Sequence, residues 1–151
     1  MPLAVSIDRA APGDAGLMAA IHASCFARPW DETAMAQFIA GPGMLCLVAS
    51  ASEESGTGPV GLLIARNAAG EAELLTLGVA PACRRRGIGR ALLKAAAAAL
   101  RASGAKQLFL EVEHGNDAGL ALYRSFGAVE IGQRKGYYRH GADAAIFSLA
   151  L

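Results

Sequence analysis

Between an apolar extended stretch at 74–79 and an alanine-rich run at 91–100 the chain reads Arg84-Arg85-Arg86-Gly87-Ile88-Gly89-Arg90. A strand there gives way to a helix within a few residues, and Gly87 and Gly89 let the backbone come close to whatever binds at the junction. The first N–H groups of the helix then lack partners and carry the positive end of its dipole, so the junction suits an anion that can come close. Four arginines in these seven positions add positive charge and forked donors matched to phosphate oxygens. Two better-known phosphate loops do not fit. No Lys-Ser or Lys-Thr follows either glycine, as the P-loop requires. Leu92 stands three places after Gly89, where the dinucleotide fingerprint needs a small residue, and no βαβ repeat surrounds it. What remains is R-x-x-G-x-G, carried by Arg84, Gly87 and Gly89; the plainer alternative is a solvated basic turn punctuated by glycines.

Composition narrows the setting. The 151 residues fit one domain, 1–151, able to bury roughly two thirds of its unfolded surface without staples. Cys25, Cys46 and Cys83 are an odd count with no C-x-x-C and no histidine at ligand spacing, so neither disulfides nor a metal are expected and a reducing cytoplasm fits best. A net charge of +1 with a pI near 7.8 gives no global positive field, and no nucleic-acid partner is expected. Asp8 and Arg9 break the N-terminal stretch and Lys94 interrupts the alanine run, so no membrane segment is expected. The expected protein is a monomer.

The periodicities predict a strand at 5–9, then a helix opened by Pro12 with Leu17, Ala20, Ile21 and Cys25 on its apolar stripe. Asp31 caps a second helix bearing Met35, Phe38 and Ile39. Strands at 44–50 and 60–67 flank a loop at 52–59, and Gly70 turns the chain into a third strand at 71–79. A helix at 87–103, a strand at 106–113 and a helix at 116–126 follow. Strands at 128–137 and 142–151 close the chain as a hairpin about Arg139-His140-Gly141. The order is β α α β β β α β α β β.

The strand, basic glycine loop and helix together resemble the acetyl-coenzyme A pyrophosphate loop of the GNAT N-acetyltransferase superfamily, whose topology the element order matches over nearly the whole chain. The resemblance implies an α+β, three-layer αβα fold. Its sheet would be mixed, largely antiparallel, of six or seven strands, splayed between the fourth and fifth, with about four helices. It also implies acetyl-CoA as acyl donor, held by Leu77, Gly78, Val79 and the loop residues Arg84, Arg85, Arg86, Gly87, Ile88, Gly89 and Arg90. A glycine inside a strand marks a bulge or a close backbone approach, and the resemblance assigns the Val79 N–H to polarising the thioester carbonyl.

On the strand at 106–113, Phe109, Glu111 and Glu113 share one face and Leu108, Leu110 and Val112 the other. Glu111, within Leu110-Glu111-Val112, matches the general base of the ribosomal-protein-alanine N-acetyltransferases, the RimI-like branch of the family; Glu71 and Glu73 are rival bases. A terminal α-amine, with a pKa of about 7.7–8.0, asks only modest basicity of its partner. Asn116 and Tyr123 are seven apart and so share a helix face about 10 Å along its axis, in a pattern N-x-x-G-x-x-L-Y that resembles the family's N-x-x-A-x-x-L-Y. Asn116 would bond the pantetheine arm, and the Tyr123 phenol would protonate the leaving thiolate. The segment Phe26-Ala27-Arg28-Pro29-Trp30-Asp31 and the pair Tyr137-Tyr138 resemble the regions bordering the RimI-like acceptor groove. Phe26, Pro29, Trp30, Glu113, Tyr137 and Tyr138 are thus candidate acceptor residues, or Trp30 and the tyrosines are rim residues that pack the hairpin.

The match departs at Glu113-His114-Gly115-Asn116, where the family usually carries a basic residue and a serine, and at Gly119, where it carries alanine. The implied activity is acetyl transfer to a protein N-terminus, most simply the N-terminal alanine of a ribosomal protein. A small-molecule or polyamine N-acetyltransferase and a noncatalytic acyl-CoA-binding domain are the alternatives.

Overall fold

The computed structural model describes residues 3–53, 56–134 and 143–151. In chain order its elements are β1 (Ala4–Arg9), a 3-10 turn (Pro12–Asp14), α1 (Ala15–Cys25), α2 (Glu32–Ala40), β2 (Met44–Glu53), β3 (Gly56–Ala68) and β4 (Glu71–Val79). A second 3-10 turn (Pro81–Cys83) leads to α3 (Ile88–Ala102), β5 (Gln107–Glu113), α4 (Asp117–Ser125), β6 (Val129–Arg134) and β7 (Ala144–Ala150). The seven strands form one sheet in the order β1-β2-β3-β4-β5-β7-β6; as the resemblance implied, it is mixed and largely antiparallel, β4 and β5 being its parallel pair.

Alternation along the central strands builds three layers. Leu45, Leu47 and Ala49 of β2 and Leu63 and Ala65 of β3 face one core with Ile88, Leu92, Leu93, Ala96 and Leu100 of α3. Cys46, Val48, Leu62 and Ile64 face the other, against Met18 and Ile21 of α1 and Met35 of α2. Strands buried on both faces lose the apolar-polar alternation and read as continuous apolar runs. Helix α1 buries Ala15, Met18, Ile21 and His22, while Ala20 is exposed and Leu17 half-buried. The expected Leu17/Ala20 stripe is therefore rotated, because a helix apolar on almost every side offers no contrast by which sequence can orient it.

Of the expected loop at 52–59, the described residues, 52–53 and 56–59, are instead strand. β2 and β3 continue their antiparallel pairing outward to Glu53↔Gly56, with a register shift beside Pro59. Pro59 is tolerated there because β3 meets β4 only from Gly61 onward, so on that side the proline faces no ladder. The turn expected about Arg139-His140-Gly141 lies outside the described residues.

One junction decides the function of the sheet. β4 and β5 run parallel and pair at only three positions, Glu71↔Gln107, Ala72↔Leu108 and Glu73↔Phe109, after which they part. The cause is local. Ile64 pairs with Thr76 and Ala65 with Leu74, leaving Leu75 as an extra residue, and a bulge bends and twists its strand. The irregularity expected at Gly78 thus sits at Leu75, since Gly78 pairs regularly with Leu62. The glycine answers a different demand, because a Cβ there would lie 3.1 Å from Cys25 Sγ and 3.2 Å from Phe26 Cε2. The end of α1 can lean on β4 only where no side chain intervenes.

Candidate active site

The fork exposes one edge of β4. The Ala80 N–H donates to the Val60 carbonyl at 2.7 Å, and antiparallel strands alternate bonded and non-bonded pairs, so the main-chain groups of Leu77 and Val79 point away from β3 and into the fork. The Val79 carbonyl accepts from Arg84 Nε at 3.0 Å and from Cys25 Sγ at 3.3 Å. Two donors from separate elements thereby fix the point where β4 becomes the loop.

The loop winds through left-handed backbone at Arg85, with φ of 63°, and at Gly87, with φ of 83°. Gly87 is the N-cap of α3, whose first residue, Ile88, is buried. The N-terminal N–H groups of α3 therefore open onto the loop with no side-chain cap across them. Three of the four arginines also make bonds within the fold. Arg84 braces Val79, Arg86 pairs with Glu53 at 3.1 Å, and Arg90 donates to Ser125 Oγ at 2.7 Å while lying over the Phe126 ring. Each of these bonds engages one nitrogen of its guanidinium, so the charge stays local and further N–H groups are left beside the backbone amides to meet an anion.

Across the fork, β5 places Leu108, Leu110 and Val112 in the core and Glu111 and Glu113 half-buried on the opposite face, as alternation predicts. Asn116 sits one residue before α4 as its N-cap, its Oδ1 accepting from the Gly119 N–H at 3.1 Å. One lone pair of the carbonyl oxygen is thereby spent on the cap, while the Asn116 amide NH2 keeps its donors for a ligand. Gly119 admits this arrangement, because a Cβ there would come within 2.6 Å of Asn116 Nδ2. Tyr123 is almost wholly buried. A cavity of about 330 Å³ between the strands is lined by Thr76, Leu77, Glu111, Glu113, Asn116 and Tyr123, with Phe26 and Trp30 at its border.

A larger cavity of about 810 Å³ lies beside it, lined by Trp30, Phe38, Glu71, Glu73, Leu75 and Glu111, among others. Glu73 is paired with Arg66 at 3.1 Å, and Glu111 with Arg134 at 3.1 Å. Among the described carboxylates only Glu111 borders both cavities. Of the other expected acceptor residues, Pro29 is exposed beside Trp30 and borders neither cavity, while Tyr137 and Tyr138 lie outside the described residues.

Sequence reasoning missed His22, Thr76 and Arg134. His22 lines the smaller cavity, is 3% exposed, and has its pKa lowered by burial. Its spacing of four from Met18 was the available signal, masked because histidine carries no apolar weight. Among the described residues no group of three or more His, Cys, Asp or Glu could hold a metal ion, and no helix is long and apolar enough to cross a membrane.

The acetyltransferase (GNAT) family matches residues 17–128. The N-alpha-acetyltransferase RimI of Mycobacterium tuberculosis is 49% identical over 75 residues, covering 49% of this chain and 46% of that protein. The ribosomal protein bS18-alanine N-acetyltransferase of Salmonella typhimurium is 39% identical over 84 residues, 54% of this chain and 57% of its own length. The chain thus spans about half the length of the curated relatives it matches. The crystal structure of the ribosomal-protein-S18-alanine N-acetyltransferase from Escherichia coli superposes with a TM-score of 0.85 at 30% identity, over 97% of this chain and 94% of that one.

Proposed function

The chain belongs to the acetyltransferase (GNAT) family, and from that membership we propose that it is an acetyl-CoA-dependent N-acetyltransferase acting on a protein N-terminal α-amine, most simply the N-terminal alanine of a ribosomal protein. The observation that carries this reading is Glu111, the described carboxylate that borders both cavities. One cavity is sized for the acyl arm and reaches Tyr123; the other opens toward Trp30 and Phe38 as an acceptor groove. In the proposed reaction the diphosphate of acetyl-CoA rests on the amides following Gly87, and the thioester arm lies along the Leu77–Val79 edge of β4. Glu111, directly or through water, takes a proton from the ammonium. The freed amine attacks the thioester carbonyl, whose developing oxyanion is met by the Val79 N–H. The carbon–sulfur bond breaks, the Tyr123 phenol protonates the departing CoA thiolate, and the second proton of the acylated nitrogen is then lost to restore the phenol, through water. No acyl-enzyme forms. The relatives named for bS18-alanine acetylation support the acceptor assignment, and the free thiols of Cys25 and Cys83 are in keeping with work in a reducing cytoplasm.

A second reading, acetylation of small cationic amines, is favoured by Glu71, Glu73 and Glu111 lining one groove. Mass spectrometry after incubation with acetyl-CoA separates the two, using peptides beginning with Ala, Ser or Met beside spermidine and lysine. Acetylation at the peptide α-amine supports the proposal, and acetylation confined to the free amines refutes it.

A further inference from the structure

His22 is the buried titratable group that the proposed chemistry does not use, and its surroundings are specific. At 3% exposed, an imidazole is costly to bury unless both nitrogens are partnered. Nδ1 accepts the main-chain N–H of Trp30 at 3.0 Å, so Nδ1 carries no proton. In the neutral ring Nε2 therefore carries it and donates to Thr76 Oγ1, 3.2 Å away. The hydrogen bonds alone fix the tautomer.

Those two bonds join distant parts of the chain. Thr76 lies on β4 just past the bulge that opens the fork, and it borders the smaller cavity. Trp30 ends the segment leading from α1 to α2 and borders both cavities. The Trp30 ring stacks on the His22 ring with centroids 4.8 Å apart and planes 10° apart, and its other contact is the Phe38 ring of α2 at 5.0 Å. Phe26 meets the same imidazole at 4.4 Å. Between these two aromatics Ala27, Arg28 and Pro29 are exposed, so the segment's inner hold is the imidazole itself.

We infer that His22 is a positioning residue for acceptor recognition: it ties Trp30 to the fork-lining strand and so sets the wall against which the acceptor's N-terminal residue packs. This rests on the proposed reading of the larger cavity as the acceptor groove. His22 touches no reacting atom in that scheme. Its loss should weaken peptide binding while sparing both donor binding and the proton transfers assigned to Glu111 and Tyr123.

The test combines kinetics with a signal independent of activity. Trp30 is the only tryptophan in the chain, so intrinsic emission reports this one contact. His22→Ala should shift Trp30 emission to the red and raise the peptide KM at least tenfold, with the acetyl-CoA KM within twofold and kcat within threefold of the native enzyme. His22→Asn, which places a side-chain acceptor near the former Nδ1, should recover most of the peptide KM. A structural role alone would lower the melting temperature of both variants and leave the KM values alone. Unchanged emission in folded His22→Ala, or a peptide KM within twofold of native, overturns the inference. Should His22→Ala fail to fold, Thr76→Val and His22→Asn are judged on the same two readouts. If the native protein acetylates no peptide at all, the proposed function falls, and the emission shift alone then decides whether His22 holds Trp30.

Discussion

Gly87 and Gly89 belong to one motif, yet replacing each with alanine should move stability in opposite directions. At Gly87 a Cβ would meet nothing within 4 Å, but the backbone sits at φ of 83°, so the whole penalty is conformational: about 1–2 kcal/mol for a left-handed L-residue. In a domain of this size that lowers Tm by about 2–8 °C. Gly89 lies inside the first turn of α3 with ordinary helical dihedrals, and a Cβ there would make only a 3.5 Å contact with Leu122 Cδ2. Removing a glycine from a helix gains about 0.5–1 kcal/mol, a rise of about 1–4 °C. Binding should not follow stability. If the amides behind Gly87 hold a diphosphate, the methyl of Gly89→Ala intrudes on that contact, and the Kd for CoA should rise at least tenfold, equivalent to about 1.4 kcal/mol. Differential scanning fluorimetry and isothermal calorimetry read the two quantities separately. A Gly89→Ala protein that binds CoA as tightly as the native one would refute the anion-holding role of this turn, and a Gly87→Ala protein of unchanged Tm would refute the conformational reasoning.

Four further outcomes are expected. Tyr123→Phe keeps the buried ring and removes the phenol, so turnover should fall about 10²-fold while calorimetry finds CoA affinity unchanged. Glu111→Gln should lower kcat by about 10² or more, whereas Glu73→Gln, which loses only an exposed pair with Arg66, should stay within twofold; equal losses would leave the base unassigned to Glu111. Because burial holds the His22 pKa below its usual value, the unfolded chain takes up that proton first as pH falls. His22 should therefore leave stability untouched above about pH 6.5 and subtract from it as pH drops from there toward the lowered folded value, a slope that urea titrations should find reduced in His22→Asn. Burial raises the Cys46 thiol to about 11. At pH 8 iodoacetamide should consequently label the half-buried Cys25 and Cys83 well before Cys46, as peptide mapping would show.

The parts of this molecule legible in the sequence are those fixed by local chemistry. Alternation along Gln107–Glu113 separated Glu111 from Leu110 correctly because the strand buries one face only. Gly87 was readable as a place where the backbone admits a close neighbour, and its left-handed φ of 83° is a further demand that glycine meets freely. What escaped detection depends on partners far away in the chain. Nothing near Arg84 announces that its guanidinium will brace Val79, nor near Arg86 that Glu53 awaits it on another strand. Gly78 was rightly marked as an approach site, but what approaches is the end of α1, and the bulge went to Leu75, a residue with no bulge signature of its own. His22 escaped for a related reason. A histidine in an apolar helix is neutral in any periodicity count, and its value lies in Thr76 and Trp30, which only the folded chain brings within reach.

The three-pair junction of β4 with β5 also falls at a single place in the covalent chain. Everything through α3 makes one bank of the gap, with the Phe26–Trp30 segment and the glycine turn; everything from β5 onward makes the other, with Glu111 and Tyr123. A crossover in the short stretch joining α3 to β5 would therefore transplant Glu111, Asn116 and Tyr123 together as a cassette and leave the glycine turn and the Leu77–Val79 edge in place. The matching conditions are that Leu108, Leu110 and Phe147 still fill the hollow beside Leu93, Ala96 and Leu100 and that Arg90 still finds Ser125 and Phe126 across the gap.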